Sequence, residues 1–349
     1  MRFSHILKKQ NIERPEHIPQ NIVSIPEPKP EPLEKPQEIT KTAGPITENN
    51  PSSPEEYVIK VKEQRGRSCG LYAGIINFLR RVFKGGETTE KIYFDAEELT
   101  NELIDELSRE NEEILVLTSK IAHDNYLLSH LANVFILSVK LGIGLNFSKN
   151  KVVFLGVAAL LHEFELDNTD SGKEFLSPEN KQRIMNATLE KIQHGERFVN
   201  VLEEQELEQL GSIIALLDLY ERLSHSSNPD EKKLPHEVLK MFIEERSDGY
   251  DNLLVKKMIE ELSIYPPGSF VRLDTDEVGE IVRANKNFPT RPVVRVFLDR
   301  DKSYLSKPKY INLIETPVLH IKEAVDDEKL EINDKKFILK QKISKRWVQ

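Results

Sequence analysis

The chain has 349 residues, 38% of them hydrophobic and 31% charged, with a formal net charge of -9. That length is enough for a sizeable core and for two or three domains, while the acidic balance argues against a nucleic-acid polymer as partner, because phosphate contacts need clustered Lys and Arg. A single cysteine, Cys69, excludes an internal disulfide framework and points to a reducing, cytoplasmic setting.

Ten of the nineteen prolines precede residue 55, and Pro26-Glu27-Pro28-Lys29-Pro30-Glu31-Pro32 has no apolar residue to place in a core. Residues 1–54 therefore read as a disordered, solvated tail, with a partner-docking segment as the alternative. Arg2, Lys8 and Lys9 are followed by no apolar stretch, so no signal peptide is expected. The longest apolar run, Val152 to Leu161, falls well short of the roughly 20 residues that cross a bilayer, and no membrane insertion is expected.

From Tyr57 to Lys120 the pattern is helical. Leu71 to Phe83 carries apolar residues at helical spacing and stops at Gly85-Gly86. Asp95 is placed to cap a second helix through Leu99, Leu103, Ile104 and Leu107. Three strongly apolar helices follow, Tyr126 to Leu141, Val152 to His162 and Ile213 to Leu223. Between the last two, Ser177-Pro178-Glu179 opens a charged helix running towards Glu204, with serine as cap and proline at the first helical position. Pro235 to Glu245 and Asn252 to Leu262 complete the helical part.

The pattern changes at Tyr265-Pro266-Pro267-Gly268. Phe270 to Leu273, Gly279 to Arg283 and Val293 to Leu298 are short and β-branched with turns between them, as in a small antiparallel barrel or sheet. Lys336-Phe337-Ile338-Leu339 is a weak strand-like run in a tail that ends in basic residues. The expected organisation is a tail (1–54), an N-terminal helical region (55–120), a helical domain (121–264), a β-module (265–325) and a C-terminal tail (326–349).

Each of the three apolar helices carries ionisable groups where its pattern calls for hydrocarbon. His130 shares a face with Leu127, Val134 and Leu137; His162-Glu163 ends the run from Val152; Asp218 interrupts Ile213 to Leu219. An unpaired buried carboxylate costs several kcal/mol, so three such cases in apolar helices suggest that the groups meet. Two schemes satisfy them. A divalent transition metal (Fe, Mn or Zn) held by His130, His162, Glu163 and Asp218 is one; a metal-free buried network in which Asp218 accepts hydrogen bonds from the histidines is the other. His123-Asp124 reads as a cap, and His225 and His236 as solvated. Gly66-Arg67-Ser68-Cys69-Gly70 lacks the lysine-serine ending of a phosphate loop.

The order of a histidine, a histidine-acid pair at a helix end and an aspartate in a later apolar helix resembles the HD superfamily, and the local words resemble its HD-GYP branch. Tyr126-Leu-Leu-Ser-His130-Leu-Ala-Asn-Val134 is similar to that branch's first-histidine helix, Ala159-Leu-Leu-His162-Glu163 to its ALLHD word, and Leu217-Asp218-Leu219-Tyr220-Glu221-Arg222-Leu223 to its ADVYDAL word. Pro235-His236-Glu237-Val238-Leu239 resembles the helix after it. Tyr265 to Leu273, Gly279 and Arg291-Pro-Val-Val resemble the small β-module attached to many members. The likeness runs in order over residues 70–300 and implies a mainly α fold, an HD-type helical bundle with a small C-terminal antiparallel β-module.

The departures bear on chemistry. Glu163 stands where the family has aspartate, and Glu165-Leu166 where it has Gly-Lys. The His-His-Glu and Gly-Tyr-Pro motif is not present. His194, in Gln193-His194-Gly195-Glu196-Arg197, is the remnant that fits best as the family's earlier HPE word and joins the implied ligands. Multi-metal members clamp phosphate oxygens and activate a bridging water; the ligands left here suffice for one metal, or for none. The resemblance implies a non-catalytic binding or regulatory module in cyclic-dinucleotide signalling, with a signalling protein or a cyclic dinucleotide as partner and a homodimer as an option. The alternative it implies is an active metal-dependent phosphodiesterase or phosphohydrolase.

Overall fold

The computed structural model describes residues 54–109, 112–119, 126–163, 203–225, 232–244, 251–326 and 330, all within the compact unit Pro51–Gln349. The elements are α1 (Pro54–Lys84), α2 (Thr89–Ser108), α3 (Glu113–Leu117), α4 (Tyr126–Gly144), α5 (Lys149–Leu161), α6 (Glu204–Ser224), α7 (Pro235–Glu244) and α8 (Asn252–Leu262), then β1 (Phe270–Leu273), β2 (Val278–Arg283), β3 (Val293–Leu298), β4 (Tyr304–Asn312) and β5 (Ile321–Val325). The expected class, mainly α with a C-terminal antiparallel sheet, is the one observed. The charged helix from Ser177, His123-Asp124, His194 and the run Lys336 to Leu339 lie outside the described residues.

α4 is the centre of the helical part and packs against α1, α2, α3, α5, α6 and α8. Apart from a few polar positions such as His130, Asn133 and Lys140 it is apolar all round, as a helix surrounded by others should be. Leu131, Val134, Phe135, Ile136, Val139 and Leu141 are fully buried. By length and composition it could cross a bilayer, which the reading of Val152 to Leu161 as the longest apolar run overlooked. Its neighbours bury 83% of that apolar window, however, so here it serves as a core helix. Gly156 lets α5 approach closely, because a Cβ there would collide with Thr100 of α2 and crowd Val139 of α4.

The helix starts show how side chains compete for the first free N–H groups. Ser148 caps α5 and Asp251 caps α8, and Glu203 and Glu206 form a reciprocal capping box on α6. At α2 the sequence reading needs correction. Thr88, not Asp95, accepts from the N–H of Lys91, 3.3 Å away. Asp95 lies inside the helix, bonded to Lys91 and, at 2.9 Å, to Arg81 of α1. An acid one turn after a lysine and facing an arginine gains two ion pairs there and has no orphan N–H to cap. α1 and α6 also begin earlier than their apolar patterns indicate, since their first turns are polar.

The sheet has the order β4-β3-β2-β1-β5, all neighbours antiparallel. Val271, Leu273, Ile281, Val294, Val296 and Leu313 form its core. The two edge strands, β4 and β5, have no counterpart in the sequence reading. Tyr304-Leu-Ser-Lys-Pro-Lys-Tyr-Ile-Asn and Ile321-Lys-Glu-Ala-Val are polar, as edges tend to be, and Pro308 is tolerated because an edge strand need not donate on its open side.

Hydrogen bonds join sheet and helices. Glu112 accepts from Lys140 of α4 at 3.1 Å and from the Ala284 N–H at 2.9 Å. Pro289 O accepts from Ser263 Oγ at 2.6 Å. Gly268, at φ 90°, donates to Ile281 O at 2.7 Å, and a Cβ on it would run into Ser119 beside α3. The turn needs glycine both for its left-handed backbone and for this close approach.

Candidate metal centre

Three helices meet at one buried polar cluster. α4 contributes Tyr126, His130 and Asn133; the end of α5 contributes His162 and Glu163; α6 contributes Asp218, Glu221, Arg222 and, just beyond its end, His225. The α6 residues are spaced at three, four and seven from Asp218, so they form a single stripe on the helix. His130, His162, Asp218 and Glu221 are buried to 1% exposure or less, while Glu163 and Arg222 form the outer rim.

Each histidine is held by its Nδ1 and presents its Nε2. His130 Nδ1 is bonded to Glu221 Oε2. His162 terminates α5, and its Nδ1–H donates to Ala159 O at 2.7 Å, satisfying a carbonyl that the helix end would leave open. The two imidazole rings meet edge-on, centroids 5.7 Å apart. Their Nε2 atoms lie 3.0 Å and 3.6 Å from Asp218 Oδ1. His162 Nε2 is also 3.8 Å from Glu163 Oε1. One donor atom from each of His130, His162, Glu163 and Asp218 falls within 4.8 Å of all the others.

Around this core runs a second ring of contacts. Tyr72 of α1 donates to Asn133 Oδ1 at 3.0 Å, and Asn133 Nδ2 donates to Glu221 Oε1 at 3.1 Å. His225 Nδ1 stands 3.2 Å from the same Glu221 oxygen. Tyr126 stacks on His130 with centroids 5.9 Å apart. Arg222 Nε donates to Asp218 Oδ1 at 2.9 Å, and the same guanidinium bonds Glu163 Oε1.

The electrostatics follow from these neighbours. Burial alone would push His130 towards the neutral form, but Glu221 and then Asp218 outweigh it and raise the imidazole pKa to about 9. Burial likewise opposes ionisation of Asp218, yet His130, His162 and Arg222 hold it well below the usual carboxylate range. Glu221 is also depressed, chiefly by His130 against the burial penalty. Burial, then the Glu221 charge, pushes the Tyr126 hydroxyl upwards. With no metal bound, the cluster is therefore a network of charged partners.

The donor set fits a transition metal. Imidazole nitrogens and carboxylate oxygens suit Zn, Fe or Mn, and a ligand histidine whose other ring nitrogen is tied to a carboxylate or carbonyl is oriented as metal sites require. The feature that bears on this fit is the pair of buried Nε2 atoms facing one oxygen of Asp218. His130, His162, Glu163 and Asp218 are brought together as the sequence pattern anticipated; His194 lies outside the described residues.

Sequence reasoning missed Glu221, Arg222, Asn133 and Tyr72 as partners. The first two could have been found from their spacing after Asp218. It also misjudged two histidines. His225 is buried against Glu221, which draws it in. His236 is half-buried with its ring stacked on Tyr265 at 5.7 Å, and burial lowers its pKa.

Fold and cluster together define the class: a mainly α protein with a buried histidine–carboxylate centre and a C-terminal antiparallel sheet. Residues 270–333, which contain all five strands, match the family model described as "KOW domain associated with HD domain". This match points to an HD-domain protein, in agreement with the class of β-module expected from the sequence. No curated protein and no solved structure matches the chain.

Proposed function

We propose that this is an HD-type protein that holds one divalent transition metal at His130, His162, Glu163 and Asp218. In this reading it works as a binding or regulatory module for a phosphate-bearing ligand, with cyclic dinucleotides of the HD-GYP branch as the first class to test. The observation that carries the proposal is the convergence of two buried Nε2 atoms on Asp218, each imidazole pinned through Nδ1 by a different acceptor. A metal bound there would supply Lewis-acid charge for a phosphate oxygen. His130 and His162 orient the donor set, Glu221 fixes the tautomer of His130, and Tyr126 with the bundle core keeps water from the inner face.

Support for binding rather than turnover comes from Arg222, which already engages Glu163 and Asp218, and from the motif positions that depart from the active branch. The donor set itself favours a second reading, a one-metal phosphohydrolase. The test uses the full chain purified anaerobically. Elemental analysis should give one equivalent of metal, and calorimetry should detect cyclic di-GMP binding only to the loaded protein. Hydrolysis of cyclic di-GMP with added Mn or Fe would favour the second reading. Absence of metal together with a chelator-insensitive melting temperature would retire both.

A further inference from the structure

The two oxygens that the histidine Nε2 atoms approach are the same two that Arg222 holds. Asp218 Oδ1 faces His130 and His162 at 3.0 Å and 3.6 Å and accepts from Arg222 Nε at 2.9 Å. Glu163 Oε1 faces His162 at 3.8 Å and accepts from the terminal nitrogen of the same guanidinium. Arg222 is one helical turn beyond Asp218, and its side chain is 33% exposed, whereas that of Asp218 is 2% exposed. The guanidinium thus closes the outer side of the cluster, where solvent begins. It has five N–H donors, cannot lose its charge and matches planar oxyanions.

From this the geometry points to Arg222 as the residue that couples metal loading to binding of an oxyanion, such as the phosphate of a nucleotide. The coupling rests on the proposed metal site. In the metal-free protein Arg222 pairs with both Glu163 and Asp218. Once those carboxylates are committed to a metal, Arg222 loses the oxygens that accept from it and gains a cationic neighbour. Like charges at short range repel, so the guanidinium turns outward along its exposed side. There its unsatisfied donors take a phosphate oxyanion in a charge-assisted, bidentate pair. Metal and oxyanion then bind with positive linkage, each raising the affinity for the other by the same factor. Arg222 also restrains metal affinity, because it must be displaced first.

The experiment compares the chelator-stripped full chain with Arg222→Ala and Arg222→Gln. The glutamine variant keeps amide donors for the carboxylates if the alanine variant folds poorly. Zn2+ alone is titrated in competition with a chromophoric chelator, and inorganic phosphate is titrated into metal-free and metal-loaded protein. Removing the unit charge beside the site should tighten Zn2+ binding by about tenfold. It should also shrink the gain in phosphate affinity on metal loading expected of the wild type to the part that the metal supplies by itself. Unchanged or weaker Zn2+ affinity in the variants overturns the coupling and leaves the metal site standing. So does phosphate affinity in the loaded protein that does not depend on residue 222. If wild type and variants alike take no Zn2+, the site reading falls and the coupling falls with it.

Discussion

His130 Nε2 stands 3.0 Å from Asp218 Oδ1 across the α4–α6 interface. The contact makes Asp218 the group whose replacement best separates a metal site from a metal-free network. Asp218→Asn keeps size and polarity but removes charge. The wild type should lose stability in EDTA, by about 2.7 kcal/mol if metal was present at 100 times its dissociation constant, and the variant should show no EDTA effect. Thermal melts with and without chelator check this. A metal-free network would instead give an EDTA-insensitive wild type and a variant that melts far lower.

Glu221 holds His130 through Nδ1 and also accepts from Asn133. Glu221→Ala leaves the His130 Nδ1–H and the Asn133 amide without their acceptor in a fully buried setting. The expected loss is about 3–5 kcal/mol, as for a broken buried pair. Glu221→Asp, the residue type of the resembling family word, should recover part of it. Because the Nδ1 partner orients the ligand ring, metal affinity should fall by about 10- to 100-fold in Glu221→Gln. Urea unfolding and metal titration measure the two effects separately.

Asp95 offers a pH test remote from the buried histidine–carboxylate cluster. Burial opposes its ionisation, but Lys91 and Arg81 outweigh burial and lower its pKa below 3.8. A carboxyl group with a depressed pKa in the folded state contributes stability that is present above the unfolded value and lost as pH falls through the folded one. The melting-temperature gap between wild type and Asp95→Asn should therefore be constant above about pH 5. It should narrow as pH drops below 3.8. A gap that widens in acid would contradict the ion-pair assignment.

At Gly268 the prediction concerns the joint between helices and sheet. Gly268→Ala places a Cβ at φ 90° and against Ser119. Backbone strain of this kind costs about 1–3 kcal/mol, and the collision adds to it. Hydrogen exchange should show the loss first at the Ile281 and Ala284 amides, where β2 bonds to the turn and to Glu112.

Local sequence was sufficient for the helices whose apolar faces repeat at helical spacing, for β1 to β3, and for the break at Tyr265-Pro-Pro-Gly. It was also sufficient to expect that His130, His162, Glu163 and Asp218 meet, because ionisable residues stand out against hydrocarbon in α4, α5 and α6. Periodicity reports which face of an element is buried; it carries no information about which other element that face meets. Only the tertiary structure decided that His130 is bonded to Glu221, 91 residues away, and that Arg222 reaches Glu163, 59 residues away. The same holds for Asp95, whose partner Arg81 belongs to another helix, and for the edge strands β4 and β5. Their polar sequences become strands because β3 and β1 offer them unpaired N–H and C=O groups.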